Sequence, residues 1–212
     1  MGIPVLILGE SGSGKSASLR NFKANEVGVI NVASKPLPFK TDIKPYNVSR
    51  EAKAHGVNRY ALIKNAISKS KVNTMVIDDS QYLLAFDSFD KAKETGYGKF
   101  TDIAVNFEKL IEYCINDVDD KKTIYFLHHC ETTDFGKVKA KTIGKMLDNQ
   151  LTIEGLFSIV LICETDGQTH KFVTQSDGTT TAKSPMGMFE REIDNDLKMV
   201  DETIREYYNL KG

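Results

Sequence analysis

Residues 9–16 read Gly-Glu-Ser-Gly-Ser-Gly-Lys-Ser and match the pattern G-x-x-x-x-G-K-[ST] at every fixed position. The apolar run 3–8 precedes this stretch, and residues 17–24 follow it with a composition that predicts a helix. A buried strand, a glycine-rich turn and a helix start form the context in which the pattern binds phosphate. The alternative is an ordinary glycine-rich strand-to-helix turn, which does not require the complete octet. The stretch therefore predicts a phosphate-binding loop within an α/β fold.

The residue types of this loop suit a triphosphate and its metal ion. The three glycines accept positive φ angles and close approach, so successive N–H groups can converge on phosphate oxygens, and the helix start adds partial positive charge. Lys15 is expected to reach the β- and γ-phosphates, and the Ser16 hydroxyl to bind Mg²⁺. There is no clear N-K-x-D guanine-reading motif, which favours ATP. The predicted ATP-binding residues are Gly9, Glu10, Ser11, Gly12, Ser13, Gly14, Lys15, Ser16 and Ala17.

Two adjacent carboxylates, Asp78 and Asp79, end the apolar run 74–77. Downstream of a phosphate-binding loop, a carboxylate at the end of a neighbouring strand holds Mg²⁺, usually through its water shell. Asp78 is therefore the predicted metal-site residue, beside Ser16, and Asp79 is the candidate base for the attacking water. The alternative is an aspartate pair that ends a strand and caps the following helix.

A further apolar run, 123–127, ends in His128 and His129. In a parallel sheet the carboxyl ends of the strands line the ligand crevice, so either histidine is a candidate γ-phosphate sensor. Glu131 and Thr132 are weaker candidates. For each histidine taken singly, the alternative that it simply ends a strand at the surface is equally well supported.

Lysines are concentrated in residues 130–145 of a chain whose net charge is only −1. Phosphate-backbone contacts by Lys137, Lys139 and Lys141 are the functional interpretation, with Lys145 in the same segment; a solvated lysine-rich loop is the alternative that charge alone favours. Because the chain is not basic overall, any nucleic-acid surface must be local.

Composition indicates an ordinary globular protein rather than a disordered one. The 212 residues are 41% hydrophobic and 27% charged, enough for one α/β domain covering 1–212. Three dispersed cysteines indicate buried free thiols and a reducing, cytoplasmic setting. The sequence begins without a signal-peptide pattern, and no apolar run approaches the roughly 18 residues of a membrane span.

The C-terminal part departs from the strand–helix alternation. Residues 170–175 and 179–183 are predicted to form a hairpin around Ser176-Asp177-Gly178, and residues 190–208 a terminal helix. The predicted fold is a P-loop NTPase with a three-layer αβα core, a mainly parallel sheet, and a C-terminal hairpin plus helix.

Several stretches resemble one protein family. They are residues 9–16, 32–39 (Val-Ala-Ser-Lys-Pro-Leu-Pro-Phe), 75–79, His128-His129, 142–147 (Thr-Ile-Gly-Lys-Met-Leu) and 182–188 (Ala-Lys-Ser-Pro-Met-Gly-Met). The chain resembles the compact phage ATP-binding proteins of the Sak group, which have a RecA-like core and are proposed single-strand annealing recombinases.

This resemblance implies ATP at subunit interfaces of a homo-oligomer, with a basic residue of the neighbouring subunit at the γ-phosphate. Lys183 is similar in position to that residue, and Lys171 is the second choice. The resemblance also implies a DNA-binding loop after the His128-His129 strand. RecA-type cores carry a catalytic Glu after the second strand, whereas residues 31–34 here contain no acid. The base role therefore falls to Asp79, and hydrolysis is expected to be slow or DNA-stimulated.

The resulting hypothesis is an ATPase that binds single-stranded DNA and promotes annealing or recombination, with single-strand binding protein as a possible partner. One alternative is a small-molecule kinase, although the five arginines are scattered and form no lid-like cluster. The other is a nucleotide-dependent loader or switch in DNA replication.

Overall fold

A computed structural model describes residues 1–143 and 151–210 of the chain. The helices are α1 (Val48–His55), α2 (Arg59–Lys69), α3 (Gln81–Asp90), α4 (Gly98–Asn116) and α5 (Leu197–Tyr207), with 3-10 helices at Ser16–Asn21 and Ile153–Leu156. The strands are β1 (Ile3–Gly9), β2 (Val27–Asn31), β3 (Tyr46–Asn47), β4 (Thr74–Asp78), β5 (Thr123–Thr132), β6 (Val138–Ala140), β7 (Ile159–Thr165), β8 (His170–Val173) and β9 (Glu192–Asp194).

The described strands form one sheet in the order β3-β2-β4-β5-β1-β7-β8-β9, with β6 paired to β5 outside this path. Pairing is parallel from β3 through to β7, while β8, β9 and β6 add antiparallel pairs. The predicted α/β fold with a mainly parallel sheet is confirmed. The parallel strands are continuous apolar runs because helices cover both of their faces.

Alternate residues of the central strands enter two separate apolar cores. Leu6 and Leu8 of β1 pack in the core beneath α1–α4, whereas Val5 and Ile7 pack in the core beneath the first 3-10 helix and α5. This period of two arises because successive side chains of a strand point to opposite faces. The arrangement is compatible with a three-layer αβα core.

The first helix is shorter and tighter than the helix predicted over 17–24. The structure has a 3-10 helix at Ser16–Asn21, and Phe22 is already extended. The Ser18 hydroxyl donates to the carbonyl of Lys15 at 2.6 Å. It therefore competes with backbone N–H groups for an acceptor that an α-helix would use in its first turn. The predicted contribution of helix partial charge at this loop is therefore confined to a very short element.

The hairpin predicted over 170–183 is wrong in its pairing. β8 pairs antiparallel with β7 across the turn that contains Gly167, not with residues 179–183. Beyond the turn at Gly178, the chain instead makes isolated bridges from Thr180 to Val138 and from Lys183 to Val160. The edge of β7 is the nearest partner for β8, and the cores on both sides hold Phe172 and Val173 there.

The terminal helix is also shorter than predicted. Residues 192–194 form β9 on the edge of the sheet, and α5 begins only at Leu197, with Asp196 as its N-cap. The Asp196 side chain accepts from the backbone N–H groups of Lys198 and Met199, which fixes the helix start. The sequence also predicts a short helix over 143–151, but residues 144–150, which include Lys145, lie outside the described residues.

No helix within 1–143 or 151–210 combines the length and the apolar character that crossing a membrane requires.

Candidate functional site

The carboxyl ends of four parallel strands bring the predicted site residues together. The register aligns Gly9 of β1 with His129 of β5, and Asn31 of β2 with Asp78 of β4. The glycine-rich loop (residues 9–16) therefore begins next to His129 of β5, and the end of β4 lies one strand further along the sheet. This is the edge of a parallel sheet at which ligands bind in open α/β folds.

Gly14 shows why the glycine-rich loop needs glycine. Its φ is +102°, a left-handed value that L side chains avoid. A Cβ at this position would lie 2.8 Å from Nδ1 of His170 on β8. His170 Nδ1 in turn lies 2.8 Å from the carbonyl oxygen of Ser13, and the thiol of Cys163 donates to the same oxygen at 3.0 Å. Side chains of β7 and β8 thus hold the glycine-rich loop in place through the Ser13 carbonyl.

Lys15 is buried inside the glycine-rich loop. Its Nζ donates to the carbonyls of Gly9 and Glu10, both at 2.8 Å. Burial lowers the pKa of Lys15, and the charges of Asp79 and Asp78 partly offset that effect. The ammonium group is thus fixed at the loop, and its charge interacts with both carboxylates.

Ser16 and Asp78 meet across the sheet, although 62 residues separate them in sequence. The Ser16 hydroxyl donates to Oδ1 of Asp78 at 2.8 Å. Burial raises the pKa of Asp78, and the adjacent charge of Asp79 raises it further. A divalent cation at this position would offset both effects, so the pair fits a Mg²⁺ site made of oxygen ligands. Among the described residues no group of three or more His, Cys, Asp or Glu side chains forms a metal cage, so phosphate oxygens and water would complete the coordination.

Asp79 lies between two basic side chains. Its backbone has φ of +60°, an uncommon conformation for a non-glycine residue. Oδ2 is 2.7 Å from Nζ of Lys35, and Oδ1 is 3.3 Å from Nε2 of His129. The second contact is within ion-pair distance but is not aligned as a hydrogen bond. Burial acts to raise the pKa of Asp79, but His129 and Lys35 together outweigh it and hold the pKa below its ordinary value.

The two predicted sensor histidines have different environments. His129 is half-buried and faces the cleft beside Asp79. His128 is fully buried on the opposite side of β5: Nδ1 lies 3.0 Å from the Ser80 hydroxyl and Nε2 lies 2.8 Å from the Lys141 carbonyl. Burial lowers the pKa of His128 to about 4. The geometry therefore brings His129, and not His128, to the site; Glu131 and Thr132 continue β5 beyond it.

Residues 130–140 of the lysine-rich segment form a β-hairpin rather than a loop. β5 runs on to Thr132 and pairs antiparallel with β6, and the turn between them carries Phe135, whose side chain is 98% exposed. Lys137 is exposed at this turn, and Lys139 forms an ion pair with Glu131 at 3.2 Å. The Lys141 N–H donates to the His129 carbonyl at 2.9 Å, which ties the base of the hairpin to the cleft.

The two lysines predicted to act in trans lie beside β7. Lys183 exchanges backbone hydrogen bonds with Val160, at 2.8 and 2.9 Å. Lys171 on β8 forms an ion pair with Glu192 at 2.9 Å. Within this single chain neither lines the cleft around residues 14–16, and the trans role of Lys183 remains a prediction about a neighbouring subunit.

Sequence reasoning did not identify two residues of this site, Lys35 and His170. Both line one cleft of about 290 Å³ together with the glycine-rich loop and the tip of β4. Lys35 follows the carboxyl end of β2, so the strand-end rule applied to His129 would have found it. His170 begins β8, and only the sheet order places it against Gly14. Ammonium, hydroxyl, carboxylate and imidazole groups in one cleft can hold a polyanion together with a divalent cation.

A scan against protein-family models and a search of curated proteins both find no match to this chain.

Proposed function

We propose that this chain is a P-loop ATPase with a RecA-like core, which binds Mg·ATP at the glycine-rich loop and acts on single-stranded DNA in annealing or recombination. One observation carries the nucleotide-binding part. Ser16 Oγ and Asp78 Oδ1 are 2.8 Å apart. Ser16 follows the loop after β1, and Asp78 ends β4; β5 lies between these two strands in the sheet. A hydroxyl after the loop lysine and a carboxylate on a nearby strand end are the protein oxygens that nucleotide-bound Mg²⁺ uses in P-loop proteins.

The remaining groups of the cleft suit ATP hydrolysis to ADP and phosphate. Lys15 supplies positive charge to the β- and γ-phosphates, and bound Mg²⁺ would polarise their oxygens. Asp79 is the candidate group to accept the proton of the attacking water, and His129 beside it is the candidate contact to the γ-phosphate. The depressed pKa of Asp79 makes it a weak base, which supports the expectation that hydrolysis is slow or DNA-stimulated.

The β5–β6 hairpin supports the DNA-binding part of the proposal. Its tip offers an exposed aromatic ring, Phe135, beside the exposed cation of Lys137. Single-stranded nucleic acid is bound by such combinations, because bases stack on aromatic faces while cations contact phosphates. The hairpin continues from His129, so a nucleotide in the cleft and single-stranded DNA at the tip would both contact the same hairpin.

Calorimetric titration with Mg²⁺ and a non-hydrolysable ATP analogue tests the nucleotide site. The parent is expected to bind, and Lys15→Ala to lose roughly 10- to 100-fold in affinity, since a hydrogen bond to a charged group is worth about 1.5–3 kcal/mol. Asp78→Asn is expected to bind the analogue but to lose the gain in affinity that Mg²⁺ gives. Lys23→Ala, an exposed lysine beyond the 3-10 helix, is the matched control. No heat of binding for the parent, or a Lys15→Ala variant that behaves like it, would overturn the proposal.

Fluorescence anisotropy with a labelled single strand tests the DNA part separately. At low salt we expect binding that depends on the nucleotide present. Absence of binding both with and without ATP would remove the recombination role and leave the ATPase proposal standing.

A further inference from the structure

Residues 34–38, which we call the β2 segment, form the wall of the cleft that faces the glycine-rich loop. Lys35, Pro36 and Pro38 line the same cleft as Gly14, Lys15 and Ser16, with the two aspartates of β4 at its floor. In sheet order β4 and β5 separate β2 from β1, so the two walls stand on opposite sides of the acidic floor. A phosphate chain held at the loop would therefore have the β2 segment as the opposite wall of its cleft.

The backbone of the β2 segment is fixed although its surface is exposed. Ser34 has a left-handed φ of 57°, and the Asn31 side-chain amide donates to the carbonyl of Lys35. Beyond the cleft, Leu37 and Phe39 pack against the apolar core beneath the first 3-10 helix. The two prolines remove backbone freedom between these anchors. The segment therefore presents Lys35 from a constant position.

The Lys35 side chain, unlike its backbone, has freedom to exchange partners. It is 56% exposed, and its Nζ contacts Oδ2 of Asp79 at 2.7 Å while lying 5.1 Å from the centre of the Tyr82 ring. The carboxylate shows that an anionic oxygen is accepted at this point, and the ring provides a second attractive surface for the cation. A phosphate oxygen is a stronger competitor for the same ammonium group because phosphate carries more charge.

We propose that Lys35 contacts the terminal phosphate of a nucleoside triphosphate in cis, and that Asp79 holds Lys35 in place when no such phosphate is bound. The inference rests on the proposed function of the cleft. Lys15 lies within the glycine-rich loop, whereas Lys35 lies on the opposite wall of the same cleft, beside Asp79, where it would meet the far end of a phosphate chain that starts at the loop. Lys35 is thus the residue by which the site distinguishes a triphosphate from a diphosphate, and Asp79 retains His129 as its partner when Lys35 turns to the nucleotide.

An ordinary surface ion pair is the competing interpretation of the Lys35–Asp79 contact. Exposed ion pairs contribute little to stability, so removing Lys35 is expected to leave the fold intact under either interpretation. The two interpretations differ in nucleotide selectivity. A surface pair has no reason to favour three phosphates over two.

Competition binding of Mg²⁺ complexes of ADP and of a non-hydrolysable ATP analogue decides between them. For Lys35→Ala we expect roughly a tenfold loss of affinity for the triphosphate, the value of one charge-assisted hydrogen bond, and less than about a twofold change for ADP. Lys35→Arg is expected to keep most of the selectivity because it keeps the charge. Lys40→Ala, an exposed lysine just beyond the β2 segment, is the matched control and is expected to behave like the parent.

The outcomes separate this inference from the proposed function. If the parent binds neither nucleotide, the proposed function fails and takes the inference with it. If the parent binds both while Lys35→Ala keeps the parental ratio of affinities, or weakens both nucleotides equally, the inference alone is overturned. A thermal midpoint close to that of the parent confirms that each variant is folded.

Discussion

Replacing Asp201 with alanine is expected to destabilise the protein by about 4 kcal/mol, because a buried charged network loses its centre. Asp201 lies on α5 and is buried against the amino ends of β4 and β5. Its carboxylate accepts from the hydroxyls of Thr74 at 2.8 Å, Thr123 at 2.5 Å and Tyr125 at 2.8 Å. Arg205, one turn further along α5, donates from Nε at 2.7 Å. One acid thus ties the last described helix to two central strands.

The magnitude follows from these contacts. A hydrogen bond to a charged group contributes roughly 1.5–3 kcal/mol, but bonds that share one acceptor are not additive. Removing one partner of a buried pair costs about 3–5 kcal/mol, which sets the expected value. Burial and the nearby charge of Asp201 raise the pKa of Tyr125, so its hydroxyl remains a donor and would be left without this acceptor. For a chain of this size the loss corresponds to a fall in Tm of roughly 8–16 °C.

Urea and thermal unfolding followed by far-ultraviolet circular dichroism measure the effect, since the chain has no tryptophan to report it by fluorescence. Glu202→Ala is the control, because Glu202 is exposed on the same turn of α5. A free energy of unfolding for Asp201→Ala within about 1 kcal/mol of the control would refute the reasoning, since that is an average effect for any substitution.

Three further predictions concern the site and its surroundings. Gly14→Ala is expected to destabilise the protein by about 1–3 kcal/mol, because alanine would have to adopt a left-handed backbone, and to weaken nucleotide binding. Adding His170→Ala should recover only the stability lost to the clash between the new Cβ and the His170 ring. Unfolding measures the stability and calorimetric titration the nucleotide binding. Burial lowers the pKa of His128 from 6.5 to about 4, so between these values the unfolded chain binds a proton that the folded chain does not. Stability should therefore fall as the pH drops through this window, by about 3 kcal/mol from this residue, and urea unfolding of His128→Gln should show a flatter dependence. Phe135→Ala is expected to weaken single-strand binding roughly tenfold, the value of one base stack, in an anisotropy assay where Phe89→Ala, another exposed phenylalanine, has little effect.

The sequence by itself determined the elements that short-range patterns encode. Continuous apolar runs predicted β1, β4 and β5 because strands covered on both faces carry no polar alternation. The spacing of glycines, lysine and serine in the glycine-rich loop predicted the turn that follows β1. The Asp78-Asp79 pair was placed at a strand end by the same reasoning, and the structure brings Asp78 to Ser16.

The tertiary structure alone decided which distant segments pair. Asp166-Gly167 and Asp177-Gly178 are both turn sequences, and local sequence does not tell which one connects paired strands. The free edge of β7 selects the first, because β8 gains a hydrogen-bonded partner and buries Phe172 there. The hairpin predicted around Asp177-Gly178 does not form, because β8 is already paired with β7 and with β9.

Tertiary structure also separated residues that sequence treats alike. His128 and His129 are adjacent, but the alternation of side chains along β5 buries the first and turns the second to the cleft. Lys35 has no motif around it that marks a site, yet the parallel order of β2 and β4 brings it to 2.7 Å from Asp79. Local pattern fixed which residues form strands and turns, while the sheet order, which depends on contacts across the whole chain, fixed which charges meet.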